Sequence, residues 1–281
     1  MAAGTTSGDG EQDYDWGWSK ERTDWVVPEI DTTKPSSARI YDYALGGKDN
    51  FAADREAYAV MVESFPDYPN LARANRGFLV RAVEFMAEAG VEQFIDLGTG
   101  IPTAPNVHEI AQRIRPEAKV VYVDNDPIVM AHNRARRAAW PGVITVQRDI
   151  REPDTILGDA AVKKFIDFDR PIGLLMVAVL HFVGKNLTVP IMSRFRTAMA
   201  PGSYLAASVA TSEGLDMSAL GDADDVTQRA SLPFTLRTRA QIEQIFDGFE
   251  LVEQGVVDVS QWRNDGEPLS ISNLAGVGVK R

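Results

Sequence analysis

Residues 94–103, FIDLGTGIPT, join an apolar run to a turn that contains two glycines. Gly98 and Gly100 lack a Cβ and tolerate positive φ angles, so this turn can be tight and can expose its N–H groups. A strand followed by such a turn is typical of the ligand-binding edge of an open parallel sheet. Taken alone, the pattern also fits a plain tight turn, so the rest of the chain must decide between the two interpretations.

The chain after this turn alternates between strand-like and helix-like segments. Candidate strands cover residues 93–97, 120–124, 143–147, 172–177 and 203–209, and candidate helices cover residues 106–115, 127–139, 187–199 and 239–246. Apolar strands separated by amphipathic helices indicate an α/β fold, with a parallel sheet covered by helices on both faces. Two more strand-like stretches, FELVEQG and SISNLAGVGVK, follow the last helix and allow an antiparallel final pair.

The chain before the sheet is expected to have two parts. Residues 1–34 hold eight acidic and three basic residues, which is typical of a mobile leader, although three tryptophans favour packing of part of it on the body. Residues 35–90 show the apolar spacing of helices, with Asn50 as a candidate cap for a helix through Glu63. We therefore expect a helical cap over residues 35–90 and an α/β core over residues 91–281.

Composition restricts the class of protein. The chain carries 29 Lys and Arg against 40 Asp and Glu, a net charge of −11, and has no marked basic cluster, so nucleic acid is an unfavourable partner. It has no cysteine, and its three histidines are scattered, so no metal site is predicted. The longest apolar stretch, IGLLMVAVL, is about half the length of a membrane-spanning helix. Without a signal-like N-terminus, we expect a cytoplasmic protein with no membrane partner.

Aspartates occur where successive candidate strands end. Asp96 precedes Gly98 by two residues, where it can meet an amino group of a ligand. Asp124 follows Gly98 by 26 residues, near the spacing at which a carboxylate accepts the hydroxyl groups of a ribose. Asp126 is the alternative, but the residue before Pro127 can instead cap the next helix.

The third strand and the glycine turn favour an adenosine compound without phosphates. Asp149 offers a carboxylate to an adenine amino group, and Ile150 offers an apolar surface. A nicotinamide dinucleotide fits less well, because Thr103 stands where its fingerprint has a third small residue. Pro102 and Pro105 also remove N–H donors that a pyrophosphate would use.

Seven stretches of the chain, spanning roughly residues 35–211, resemble the class I S-adenosylmethionine-dependent methyltransferases. They are PSSARIYDYALGGKDNF, NRGFLVRAVEFM, FIDLGTGIPT, VVYVDNDPIVMAHNRA, RDIREPDTIL, LLMVAVLHFV and PGSYLAASVAT. The first is most similar to an actinobacterial family of methyltransferases formerly of unknown function. The resemblance implies a Rossmann-like sheet of seven strands with the last one antiparallel, and S-adenosylmethionine as the cofactor.

The resemblance also implies a set of cofactor contacts after the strands. The predicted contacts are Asp96, Gly98, Thr99, Gly100, Asp124, Asn125, Asp149, Ile150 and Ala178. The glycine turn would line the methionine part, Asp96 would lie near its amino group, and Asp124 would bind the ribose. Asn125, Asp149 and Ile150 would surround the adenine. Thr99 replaces the more usual Cys or Ser, and Pro105 leaves the start of the next helix open.

The sequence after the fourth strand, AVLHF, bears on the reaction. His181 is a candidate general base, because the ordinary pKa of histidine is close to neutrality, and a structural histidine is the alternative. His108 and His132 fall in predicted helices and are expected to be solvated. The motif Asn-Pro-Pro-Tyr, frequent in enzymes that methylate amino groups of bases or glutamine, is absent at this place. A small-molecule acceptor, methylated at oxygen, is therefore favoured.

The segment before the sheet supplies candidate acceptor contacts. Residues 36–51 are expected to fold over the cofactor and shape the acceptor pocket, and the alternative is a helix packed on the sheet edge. The predicted acceptor contacts are Arg39, Tyr41, Tyr43, Asn50, Phe51 and His181. Arg76 can reach the cofactor carboxylate or remain an exposed helical arginine.

Two other functions remain open from the sequence. A protein that senses S-adenosylmethionine or its product without catalysis would use the same loop and aspartates, and no side chain is unambiguously catalytic. A nicotinamide oxidoreductase would instead show affinity for NAD. The acceptor's identity and the oligomeric state do not follow from the sequence.

Overall fold

The computed structural model describes residues 31–137, 140–214 and 234–281. These residues belong to one compact unit, Asp31–Arg281. Most of the predicted leader, including its tryptophans, lies outside the described residues, as do the last two residues of the helix predicted at 127–139. Within the described ranges, no helix has both the length and the apolarity needed to span a membrane.

Three helices precede the sheet: α1 (Ser37–Ala44), α2 (Ala52–Ser64) and α3 (Tyr68–Glu88). The apolar spacing of α3 corresponds to one buried face, formed by Leu71, Phe78, Leu79, Ala82, Val83 and Met86. The cap of α2 differs from the prediction, because Phe51 rather than Asn50 is its N-cap residue. Asp54 accepts a hydrogen bond from the Phe51 N–H group (2.8 Å), whereas the Asn50 side chain donates to Asp42 (3.0 Å).

Five parallel strands form the centre of the sheet in the order β3-β2-β1-β4-β5. They are β1 (Gln93–Leu97), β2 (Lys119–Asp124), β3 (Val143–Gln147), β4 (Gly173–Val177) and β5 (Tyr204–Ala210). Their bounds agree with the predicted strands to within one residue. The order reverses between β1 and β4, which is where open parallel sheets bind ligands.

The antiparallel end of the sheet contains β6 (Glu250–Leu251), β7 (Val257–Asp258) and β8 (Asn273–Val279). β8 runs antiparallel to β5, and β6 and β7 both pair with its other edge. The sheet therefore has eight strands instead of seven, because a turn interrupts the edge strand. Residues 250 and 257 are seven positions apart, but their partners on β8, residues 279 and 275, are only four apart.

Helices cover both faces of the sheet, as predicted. The described part of the chain also contains helices α4 (Val107–Ile114), α5 (Pro127–Arg137), α6 (Pro153–Leu157), α7 (Ala160–Phe165), α8 (Lys185–Ala198) and α9 (Arg239–Glu243), with 3-10 turns at Leu180–Phe182 and Gln244–Phe246. Side chains on the strands alternate between two apolar clusters. Ile95 and Leu97 belong to the cluster that includes Phe195 of α8, and Phe94 belongs to the cluster that includes Phe78 of α3.

Candidate active site

The carboxyl ends of the parallel strands border a cavity of about 410 Å³. Its volume falls within the range of small-molecule sites, roughly 300 to 1,000 Å³. Helices contribute to the walls, with Tyr41 from α1 and Tyr68 and Asn75 from α3. The cavity is therefore bounded by the helical segment as well as by the sheet.

All nine residues predicted to contact the cofactor line this cavity, and so does His181. The strand order arranges them along the edge of the sheet. Asp149 follows β3, Asp124 ends β2, the glycine turn follows β1, and His181 follows β4. Parallel topology thus brings together residues that are far apart in the chain.

The glycine turn has the backbone that the sequence predicts, but its N–H groups are not free. Gly98 has φ of +72° and Gly100 has φ of +65°. The N–H groups of Gly98 and Thr99 donate to the Val123 carbonyl (2.8 and 3.2 Å), and that of Gly100 donates to Asp124 (2.9 Å). The expectation of exposed donors is wrong, because β2 lies close enough to use them. A turn without free donors does not suit a phosphate group.

A close approach explains why one of these positions lacks a side chain. A Cβ on Gly98 would lie 2.3 Å from Cγ2 of Val179, in the segment that follows β4. At Gly100, no described residue other than its chain neighbours lies within 4 Å of the place that a Cβ would occupy. Gly98 therefore permits packing between two strand ends, and Gly100 borders open space in the cavity.

Asp124 and Asp126 have different partners. Asp124 accepts from the N–H groups of Gly100 through Oδ2 and of Asp126 through Oδ1 (both 2.9 Å), and burial raises the pKa of its carboxyl group. Each oxygen keeps a lone pair for a further donor. Asp126 caps α5 by accepting from the Ile128 N–H group (2.8 Å) and also accepts from Ser36 Oγ (2.9 Å). The capping alternative for Asp126 thus matches its hydrogen bonds.

Asp96 and Arg76 both line the cavity beside the glycine turn. Asp96 is 5% exposed, and burial raises the pKa of its carboxyl group to about 6, although Thr99 and Arg76 oppose this rise. Arg76 donates through Nη2 to the carbonyls of Thr103 and Pro105. Its Nε is buried and has no hydrogen-bond partner. An unpaired buried donor of this kind fits an acceptor group supplied by a ligand.

Asp149, which follows β3, has a hydrogen-bond partner that was not identified from the sequence. Arg151 donates to both oxygens of Asp149 (2.9 and 3.0 Å), and this contact lowers the pKa of Asp149. Asn125 also approaches Asp149 (3.4 Å). The signal was local, because Arg151 stands two residues after Asp149 in RDIRE. A ligand donor at the Asp149 carboxylate would share it with Arg151.

His181 lies in the 3-10 turn after β4 and is 6% exposed. Its Nδ1 is buried and unpaired. Burial and the positive charge of Arg237 lower the pKa of the imidazole to about 3. The pKa therefore lies far below the ordinary value on which the candidacy of His181 as a general base depends, and the ring is neutral and weakly basic at physiological pH.

Arg237 holds the turn around His181 and was not identified from the sequence. The guanidinium group donates to the carbonyls of Leu180 (2.8 Å) and Val183 (2.7 Å) and to Thr188 Oγ1 (2.7 Å). These contacts fix the turn before and after His181. No local pattern reveals them, because Arg237 is 57 residues from Leu180 in the chain.

Of the residues predicted in the helical segment, Tyr41 lines the cavity. Its hydroxyl donates to the Ala72 carbonyl (3.0 Å) and accepts from Asn75 Nδ2 (2.9 Å). Asn75, also missed, accepts from Ser208 Oγ (2.5 Å). This buried network ties the helical segment to β5. Asn75 immediately precedes Arg76, which was the only residue of α3 that the sequence suggested as a ligand contact.

The other four predicted acceptor contacts are not among the residues that line the cavity. Arg39 forms a buried ion pair with Asp54 (2.7 Å). Tyr43 packs its ring on Tyr58, Asn50 bonds to Asp42 and Gly47, and Phe51 is the N-cap residue of α2. Their positions do not support direct contact with an acceptor, because the folding of the segment on itself uses these side chains.

The remaining histidines differ from one another. His108 was expected to be solvated, but it is 1% exposed and its Nδ1 lies 2.8 Å from Tyr122 Oη, so this expectation is wrong. The inward face of α4 carries it. His132 is partly exposed, 3.7 Å from Asp49. Among the described residues, no group of His, Cys, Asp or Glu is arranged to hold a metal ion.

The sheet order and the aspartates at its strand ends define a class of Rossmann-like proteins that bind an adenosine cofactor. A family model described as S-adenosyl methyltransferase matches residues 23–281. The chain belongs to this S-adenosyl methyltransferase family. It is therefore an S-adenosylmethionine-dependent methyltransferase, and the match favours this assignment over a nicotinamide oxidoreductase.

Two solved structures are similar to this chain over nearly its whole length. A candidate methyltransferase from Thermobifida fusca has 40% identity and a TM-score of 0.84, with coverage of 92% of this chain and 100% of that chain. A duf574 family protein from Streptomyces avermitilis has 41% identity and a TM-score of 0.84, with coverage of 90% and 100%. No curated protein matches the sequence.

Proposed function

We propose that this methyltransferase acts on a small-molecule acceptor and methylates it at an oxygen atom. The observation that supports the proposal is the cavity of about 410 Å³, whose walls come from the sheet and from the helical segment. A bounded space of this size suits a small molecule better than a polymer. The net charge of −11 also disfavours nucleic acid.

The residues present fit the methionine part of S-adenosylmethionine. The unpaired Nε of Arg76 is available to the cofactor carboxylate, and Asp96 can accept from the amino group. Gly98, Thr99 and Gly100 would line this part, with the open space at Gly100 next to it. When bound, the cofactor supplies a methyl group on a sulfonium, which reacts with a nucleophile.

The adenosine part would lie against the polar residues at the ends of β2 and β3. Asp124 would accept from the ribose hydroxyl groups with its free lone pairs. Asn125, Asp149 and Ile150 would surround the adenine, and Ala178, at the end of β4, would complete the set. This arrangement assigns one strand end to each part of the cofactor.

Tyr41 and His181 would contact the acceptor. The weak basicity of His181 argues against proton removal, so we assign it a hydrogen bond that orients the acceptor. Buried walls hold the acceptor in place and exclude water, and positioning of this kind supplies much of the rate in group transfer.

Turnover with fractionated cell extract tests the proposal. The protein is incubated with S-adenosylmethionine and either the low-molecular-mass or the macromolecular fraction, and S-adenosylhomocysteine is measured. We expect product with the low-molecular-mass fraction, and the methylated compound should be an ester or an ether. Turnover with macromolecules alone would contradict the small-molecule proposal, and binding without turnover in either fraction would favour the sensor.

A further inference from the structure

The part of the cavity over β4 and β5 differs in charge from the part over β1 to β3. We call it the acceptor half. Its lining includes His181, Phe182, Thr211, Phe234, Leu236 and Asn273. The described residues that follow β4, that follow β5 or that lead into β8 contribute no Asp, Glu, Lys or Arg to the lining. The ends of β1 to β3, in contrast, contribute several aspartates. Among these described residues, no acidic side chain can therefore take a proton from an acceptor.

A positive charge lies directly behind this wall. Arg237 is 2% exposed, and its guanidinium bonds go to neutral groups: the carbonyls of Leu180 and Val183 and the hydroxyl of Thr188. Among the described residues, no carboxylate pairs with it. A cation buried without a counter-ion is costly and projects a positive potential across a low-dielectric layer. His181 lies in that layer, since the charge of Arg237 acts on its ring.

The acceptor half also has an aromatic wall. The ring of His181 lies 4.4 Å from that of Phe182 and 4.9 Å from that of Phe234, measured between centroids. Both phenyl rings line the cavity. Aromatic side chains favour a flat ring through stacking and edge contacts. The unpaired Nδ1 of His181 adds a hydrogen-bonding group among these rings.

We infer that the acceptor is an aromatic anion, a carboxylate or an acidic phenol, and that its charged oxygen receives the methyl group. This inference rests on the proposed function. The oxygen forms a bond to the methyl carbon while the sulfur–carbon bond breaks and its electron pair stays on sulfur. The anion and the sulfonium cation become a neutral ester or ether and a neutral thioether. No proton is released, which fits the absence of a strong base among the described residues of this wall.

Matched probes that differ only in charge test the inference. The protein loaded with S-adenosylhomocysteine is titrated calorimetrically with 1-naphthoate and with 1-naphthamide, which have nearly the same shape. We expect the carboxylate to bind at least about tenfold more tightly than the amide, because only the carboxylate responds to the Arg237 potential. No turnover is needed for this measurement.

Substitutions of Arg237 test whether its charge causes the tighter binding of the carboxylate. Arg237→Met should reduce the ratio of affinities to about one, and Arg237→Lys should keep most of it, because lysine retains the charge. Arg194→Met is the matched control, since Arg194 is exposed and pairs with Asp154 on the surface. Binding of S-adenosylhomocysteine by each variant checks that it is folded.

Equal or tighter binding of the amide by the wild-type protein would overturn the inference, and so would an unchanged preference in a folded Arg237→Met variant. If that variant does not fold, the wild-type comparison decides alone. Binding of neither probe to a protein that binds S-adenosylhomocysteine would reject the aromatic anion and leave the proposed function standing. Failure of the wild-type protein to bind S-adenosylhomocysteine would reject both.

Discussion

At the residue scale, the buried carboxylate of Asp96 destabilises the folded protein when it is ionised. The carboxyl group is 5% exposed, and its pKa is raised to about 6. The folded protein therefore holds this proton more tightly than the unfolded chain does, and ionisation above about pH 6 destabilises the native state by roughly 3 kcal/mol. A buried charge that costs stability is typical of a binding site.

We expect Asp96→Asn to raise the free energy of unfolding by roughly 2 kcal/mol at about pH 8, because the amide avoids the buried charge. The gain should shrink as the pH falls from about 6 to about 4, where the wild-type carboxyl group takes up its proton. Chemical denaturation across this range measures both effects. Asp154→Asn is the exposed control, and a gain that does not change with pH would contradict the assignment.

A titration with S-adenosylmethionine can decide whether Asp124 or Asp126 contacts the ribose. We expect Asp124→Ala to lower the affinity for S-adenosylmethionine at least about tenfold, because a hydrogen bond to a charged group is lost. Asp126→Ala should destabilise α5 by about 1 kcal/mol through loss of its cap and leave the affinity nearly unchanged. Calorimetric titration and thermal unfolding of both variants measure these effects. The reverse order of affinities would move the ribose contact to Asp126.

At the scale of the elements, the turn after β1 is defined by its contacts with two neighbouring segments. Its first N–H groups bond to β2, and Gly98 packs against Val179 after β4. The turn is therefore held between both neighbours of β1 in the sheet. This explains how a short loop can present a fixed surface to a ligand.

Gly98→Ala should lower the free energy of unfolding by about 2 kcal/mol or more, because the new Cβ combines a positive φ with a clash at Val179. Gly90→Ala is the matched control: its φ is also positive (+99°), but no described residue other than its chain neighbours lies within 4 Å of the added Cβ. We expect about 1 kcal/mol for the control. Urea denaturation measures both, and equal losses would show that the Val179 contact is not tight.

At the scale of the whole molecule, the helical segment and the sheet meet through buried polar contacts. Tyr41 and Asn75 connect α1 and α3 to Ser208 of β5, and Ser36 bonds to Asp126 after β2. The walls of the cavity are thus fixed to one another across the chain. Substitutions of Tyr41 or Asn75 are expected to alter the shape of the cavity wall that α1 and α3 form.

The elements of the sheet could be predicted because their signals are local. The apolar runs of β1 to β5 and the glycines after β1 are properties of a few adjacent residues, and the strand ends then placed Asp96, Asp124 and Asp149 at one edge. The split edge strand at β6 and β7 could not be predicted, since two residues in each strand carry no periodic signal.

The sequence by itself determined the parallel core and the strand-end aspartates of this methyltransferase, because periodicity and turn chemistry act between near neighbours. Tertiary structure alone decided the chemistry of the acceptor half. Arg237 reaches the turn at His181 from 57 residues beyond Leu180, and its charge and the burial of the ring turn an ordinary histidine into a weakly basic one. Electrostatic interactions in a low-dielectric interior depend on distance in space, which the order of residues does not specify.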